Sequence, residues 1–176
     1  IRNRLVFDQK VVVIASSDPP HFAVLSSSLH YACVHVHGSR MKTDAVYTPS
    51  DVYETFPFPA VAENSALTSL GRELHDFRQS ALERRNCGLT RLYKLVHSPE
   101  RDDADIERIR HIHRKIDHEV VRAYNWSDVP LDHGFHIAGY VVDAEKVRYT
   151  VAEAARFEFM RRLAASILIC ALPFAL

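Results

Sequence analysis

Ser65-Ala66-Leu67-Thr68-Ser69-Leu70-Gly71-Arg72-Glu73-Leu74-His75-Asp76-Phe77-Arg78-Gln79-Ser80-Ala81 is where the chain changes character. Leu67, Leu70, Leu74, Phe77 and Ala81 recur at three- and four-residue steps, which draws a narrow apolar stripe along a helix. Asn86-Cys87-Gly88 breaks that helix. Leu89, Leu92, Leu95 and Val96 then make a second, short one that stops near Ser98-Pro99. Asp102 or Asp103 starts a third, with Ile106, Ile109, Ile116, Val120 and Tyr124 facing inward. Asn125 to Gly139 reads as loop. Tyr140-Val141-Val142 with Lys146-Val147-Arg148-Tyr149 suits a hairpin around Asp143, and Thr150-Val151-Ala152-Glu153 is a capping box for a last helix.

Upstream of Ser65 the pattern is shorter and mixed. Leu5-Val6-Phe7 and Val11-Val12-Val13-Ile14-Ala15 read as strands, the second buried on both faces. Asp18 offers an N-cap with Pro19 at the first helical position. The helix predicted from Pro19 to Val36 sets Phe22, Leu25, Leu29 and Val36 on one side, and Gly38 ends it. Thr48-Pro49-Ser50-Asp51 repeats the start signal for a helix that Pro57 and Pro59 keep short. Phe56-Pro57-Phe58-Pro59 then reads as a rigid apolar clasp between the two parts. The expected class is α+β, mostly α: a small α/β piece over 1–60, a helical domain over 61–163 and an apolar tail over 164–176.

Composition narrows the function only in part. With 176 residues, 47% hydrophobic and 25% charged, the chain is expected to be soluble and globular. Its 22 basic and 22 acidic residues cancel, so bulk charge gives no pull toward nucleic acid. Cys33, Cys87 and Cys170 are few, odd in number and far apart, which fits a reducing, cytoplasmic setting rather than a disulfide or zinc framework. No signal-peptide pattern opens the chain, and Ile1 in place of Met predicts a fragment whose N-terminal part lies upstream. The tail from Ala164 to Leu176 is too short to span a bilayer, so no membrane partner is expected.

Three patterns resemble catalytic or metal chemistry. Asp18-Pro19-Pro20-His21-Phe22 after a strand is close to the Asp/Asn-Pro-Pro-aromatic turn of amino-methyltransferases. His21 occupies the aromatic slot, however, and no Gly-x-Gly is present to approach a cofactor, so helix-start chemistry accounts for it. Among eleven histidines, His111 and His113 point about 200° apart on a helix. His133 and His136 are the pair able to converge, without a Cys or paired carboxylate motif beside them. No Gly-x-Ser-x-Gly turn exists for Ser-His-Asp catalysis. No catalytic residue, metal ligand or cofactor site is therefore assigned to this chain. Arg84, Arg85, Arg91 and Lys94 form a basic patch, read as a solvated face balanced by Glu83 and Asp76.

Gly38-Ser39-Arg40-Met41-Lys42-Thr43-Asp44-Ala45-Val46-Tyr47 is a polar excursion bracketed by two helices. Its side chains suit base edges: Arg for guanine, Asp for cytosine, Lys and Ser for several acceptors. Ser39, Arg40, Lys42, Asp44 and Tyr47 are the candidate DNA-binding residues, with Arg40 and Asp44 expected at base edges, Lys42 at phosphate and Tyr47 packed beneath.

That segment, the run from Val11 through His21-Phe22-Ala23-Val24-Leu25-Ser26-Ser27, and Tyr47-Thr48-Pro49-Ser50-Asp51-Val52-Tyr53-Glu54-Thr55-Phe56-Pro57-Phe58-Pro59 together resemble the end of the target-recognition domain of MmeI-like DNA methyltransferases. These are type IIL restriction-modification enzymes and their relatives. Gly88-Leu89-Thr90-Arg91-Leu92-Tyr93, His97-Ser98-Pro99, Ile109-Arg110-His111-Ile112-His113, Ile116-Asp117, Ala123-Tyr124-Asn125-Trp126 and His133-Gly134-Phe135 are similar to their helical C-terminal domain. The resemblance implies a parent that methylates adenine in a defined double-stranded DNA sequence using S-adenosylmethionine, bound by an upstream methyltransferase domain. Such an enzyme takes its target base out of the stack. This chain would read and clamp DNA and be inactive alone. Val46 departs from the basic residue often found before the Tyr, and the apolar tail departs from the usual polar end. The competing reading is a protein-interaction module that docks another subunit through the Leu67–Ala81 stripe.

Overall fold

Five apolar β-branched residues at three- and four-residue steps run along one face of the helix Ala104–Ala123, and other helices pack against that face. Ile106, Ile109, Ile112, Ile116 and Val120 are all fully buried. Asp103 starts the helix by accepting the Ile106 amide at 3.4 Å, and Asp105 and Glu107 sit in its first turn, where the helix dipole favours them. The computed structural model describes residues 11–41, 44–62, 65–138 and 147–171; at 40, 41, 44, 45 and 168–171 it describes the backbone alone.

In chain order the helices are α1 (Pro19–Leu25), α2 (Ser28–His37), α3 (Ala66–Arg85), α4 (Leu89–Val96), α5 (Ala104–Ala123) and α6 (Glu153–Ala171). The strands are β1 (Ser39–Met41), β2 (Asp44–Val46), β3 (Gly134–Ile137) and β4 (Val147–Thr150). They pair as two separate antiparallel ribbons, β1 with β2 and β3 with β4. The class is α+β, mostly α.

The larger core draws on both parts of the chain. Ala23, Val24, Leu29, Cys33 and Phe56 pack with Leu67, Leu70 and Leu74 of α3, Ile112, Ile116 and Val120 of α5, and Phe159 of α6. Ala81, Leu92, Val96, Ile106 and Ile109 form a smaller core where α3, α4 and α5 meet, with Phe77 packed against both. Phe56 is buried, and the Tyr124 hydroxyl donates to the Pro57 carbonyl at 2.8 Å. The Phe-Pro-Phe-Pro run is therefore a clasp onto the helical part, worth about 1.5–3 kcal/mol for a fully buried aromatic ring. The α3 stripe is spent in the same way. Leu67, Leu70, Leu74 and Ala81 are buried inside this chain, so that face is not open to dock another subunit.

Arg110 ties the second ribbon to the helices. Its guanidinium is buried and donates to the carbonyls of Val96 at 2.9 Å, Arg101 at 2.7 Å and Ser98 at 2.7 Å. A cation at the end of α4 satisfies carbonyls that no helical amide can reach. The same group lies 4.8 Å from the Phe135 ring centre and 5.4 Å from that of Tyr149, one from each strand of the ribbon.

Several local expectations need correction. The predicted helix from Pro19 to Val36 is two helices, broken at Ser26-Ser27. Ser27 accepts the His30 amide at 3.0 Å as the cap of α2, and the Ser28 amide donates to Asp117 at 2.7 Å. Val11–Ala15 is not a buried strand: Val11 and Val13 are half exposed, and no described segment pairs with it. Strand backbone needs a ladder partner, and an apolar run alone does not supply one. Gly134–Ile137, read as loop, is the first strand of the second ribbon, while Tyr140–Val142 and Leu5–Phe7 lie outside the described residues. The capping box is displaced, because Thr150 ends β4 and the Ala152 carbonyl, not that of Thr150, accepts from Arg156 at 3.1 Å. Among the described residues no helix is long and apolar enough to cross a membrane.

Candidate functional site

The excursion between Gly38 and Tyr47 is a β-hairpin rather than a plain loop. Ser39 pairs with Val46, Arg40 with Ala45 and Met41 with Asp44. Gly38 makes the exit from α2 possible. A Cβ there would come within 2.4 Å of the Val34 carbonyl oxygen and 2.9 Å of that of Val46. Only glycine lets the helix end and the returning strand approach so closely. Thr48 closes the ribbon from the other side, donating its hydroxyl to Ser39 Oγ at 3.0 Å. At the cap position of the wide turn Pro49–Tyr53 its side chain bonds none of that turn's amides, while its carbonyl accepts those of Asp51 at 3.1 Å and Val52 at 2.9 Å.

Beneath the hairpin lies a block of rings. Tyr47 leaves β2 and shares a 3.1 Å hydrogen bond with His30 Nε2. The His30 ring sits edge-on to Phe56 at 4.6 Å, Phe56 edge-on to Phe58 at 4.9 Å, and Phe58 edge-on to His21 at 4.7 Å. Tyr53 completes the block through a 3.2 Å hydrogen bond to His21 Nε2. Burial, with His21 nearby, pushes His30 down to about 4, so it stands neutral under the ribbon at pH 7. Burial raises the Tyr47 hydroxyl above its ordinary value, with Tyr53 and Cys33 adding to the effect. The two strands are thus seated on an interlocked aromatic base in which His30 is uncharged.

Of the residues expected at DNA, Ser39 is exposed and bonded to Thr48, and Tyr47 is half-buried on His30. Arg40 and Asp44 have backbone positions in β1 and β2, and Lys42 lies outside the described residues. His21, His30 and Tyr53, which build the base, are absent from the sequence-based set. A signal existed for His30, because Leu29, Cys33 and Val34 place it on the buried face of α2.

Residues 1–60 match the family model of the MmeI target recognition domain. That stretch takes in α1, α2, the hairpin and the ring block, and it stops before α3. No curated protein and no solved structure matches the chain.

The other chemical patterns resolve into structural roles. Asp18 precedes Pro19 and Pro20 in the first turn of α1, and its side chain makes no cap hydrogen bond. Arg84 pairs with Asp105 at 2.8 Å, and Arg85 with Asp103 and Asp105, so the acids facing these two arginines are at the start of α5 rather than Glu83 and Asp76. His133 Nε2 meets the fully buried Asp117 carboxylate at 2.9 Å, while His136 Nε2 turns to the Asp132 carbonyl at 2.7 Å. His113 bonds the Tyr93 hydroxyl at 2.8 Å.

Proposed function

We propose that this chain supplies DNA sequence recognition for a restriction-modification enzyme, and that the parent is an S-adenosylmethionine-dependent, adenine-specific DNA methyltransferase of the cytoplasm. The observation that carries the reading is the match of residues 1–60 to the MmeI target recognition domain, with the hairpin of Ser39–Val46 inside the matched stretch. Cofactor and catalytic residues belong to an upstream domain, and the helical part from α3 to α6 clamps the duplex. In this reading Arg40 and Asp44 contact base edges, Lys42 contacts phosphate, and Ser39 and Tyr47 hold the strands that carry them.

The direct test is selection from a randomised duplex pool. The full chain should retain a subset of sequences over the pool average, with binding that weakens as salt rises. Retention without sequence preference would remove the recognition role. The coding sequence upstream supplies a second check: an in-frame Asn-Pro-Pro-aromatic motif and a glycine-rich loop are expected there.

A further inference from the structure

A cavity of about 780 Å³ opens between the start of α2 and elements α3, α4, α5 and β4. Arg78, Lys94 and Arg148 bring three cationic side chains to its wall, and none of its lining residues is Asp or Glu. The chain as a whole has equal numbers of acids and bases, so this lining departs from its overall balance. Among the described residues, Arg78 and Lys94 have no carboxylate partner, as is also true of Arg72, Arg91, Arg101, Arg114 and Lys115, but these two face one cavity together. The Arg78 guanidinium is steadied over the Phe22 ring, 5.2 Å from its centre. Asp117 is the carboxylate near the start of α2. It is fully buried, and its two oxygens are engaged by the Ser28 amide and His133.

The remaining wall is aromatic and neutral. Tyr31, Tyr93 and Tyr149 line it together with His97 and His113. His97 is pushed down to about 4 by burial, then by Arg148, His113 and Arg110, so it is uncharged at pH 7 within a positive field. Its Nδ1 is buried and has no hydrogen-bond partner among the described residues. Arg78 and Lys94, without acid partners, suit phosphate, and tyrosine faces suit a planar base. The volume is far larger than a lone phosphate needs and is in the range of small-ligand sites.

We propose that this cleft binds a nucleotide-sized, phosphate-bearing anion, with Arg78 and Lys94 on the phosphate and the tyrosine wall against the base. The site stands on its own chemistry, apart from the hairpin, which leaves the opposite end of α2 about 15 Å away at 1.5 Å per residue. The anion is either a free nucleotide or one nucleotide unit of a DNA strand held at that distance from the hairpin.

Calorimetry of the full chain with dAMP and with deoxyadenosine tests the site. Binding of dAMP is expected, at least about tenfold tighter than deoxyadenosine, because the charge-assisted contacts go to phosphate. Lys94→Glu, at an exposed position that cannot unfold the core, and Arg78→Gln should each weaken dAMP at least about tenfold. Arg40→Ala in the hairpin should leave dAMP binding unchanged, so failure of the recognition role and failure of this site are separable. Competition with a short single-stranded oligonucleotide and with a duplex then identifies the source: displacement of dAMP assigns the site to a DNA strand, and its absence assigns it to a free nucleotide. No heat of binding with dAMP up to about 10 mM, or binding that Lys94→Glu leaves intact, overturns the proposal.

Discussion

Gly71 of α3 lies so close to Pro19 of α1 that a Cβ at position 71 would stand 2.1 Å from the Pro19 carbonyl oxygen. The two helices meet backbone to backbone, and this contact fixes the part matched to the target recognition domain against the helical part. Gly71→Ala should therefore destabilise the fold, although alanine is the better helix former. The expected loss is about 1–3 kcal/mol from overpacking, read by urea unfolding. A gain in stability would mean that α1 is not held there.

Phe56→Ala should cost about 3–5 kcal/mol, the range for emptying a packed aromatic site. The ring is buried against His30 and Phe58, so its loss also loosens the base of the hairpin. A change below about 1 kcal/mol would show that the clasp is dispensable.

Periodicity made α3, α4 and α5 legible almost to the residue, because their stripes face one core and their ends carry local signals: Asn86 in the left-handed conformation after α3, Asp103 before α5. The break between α1 and α2 was hidden for a physical reason. Serine is no helix breaker, and the new start at Ser28 depends on the Asp117 carboxylate, 89 residues away. β3 escaped for a similar reason, since four residues acquire strand backbone only through pairing with Val147–Thr150. At the candidate site, the hairpin's side-chain types were readable. Its base was not, because a histidine looks alike in sequence whether it is solvated or, like His30, buried under a tyrosine.

Stability should fall as pH drops from 6.5 toward 4. His30 and His97 are both held near 4 in the folded chain against 6.5 as the ordinary value. Between those limits the unfolded chain binds protons that the folded chain refuses, so stability is full above 6.5 and is lost on acidification. Each group contributes a slope of about 1.4 kcal/mol per pH unit inside the window. Urea unfolding at several pH values should show that slope, reduced by about one proton in His30→Gln. A flat curve across the window would contradict the burial of both rings.

S-adenosylmethionine should not bind this chain by itself, since no Gly-x-Gly loop is available to approach it. Calorimetry is expected to show no heat. High-micromolar binding abolished by Asp18→Ala would restore a cofactor role to the Asp-Pro-Pro turn.

DNA recognition by the hairpin is tested most directly by methylation across a randomised site library, using the full-length parent and its Arg40→Ala, Lys42→Ala and Asp44→Ala variants. Arg40→Ala and Asp44→Ala should each relax preference at one position of the site, by about 1–3 kcal/mol per good bidentate contact. Lys42→Ala should lower methylation of all sequences alike and flatten the salt dependence. If all three variants keep both the preference and the overall activity of the wild type, the hairpin is plain surface and the reading elements lie elsewhere.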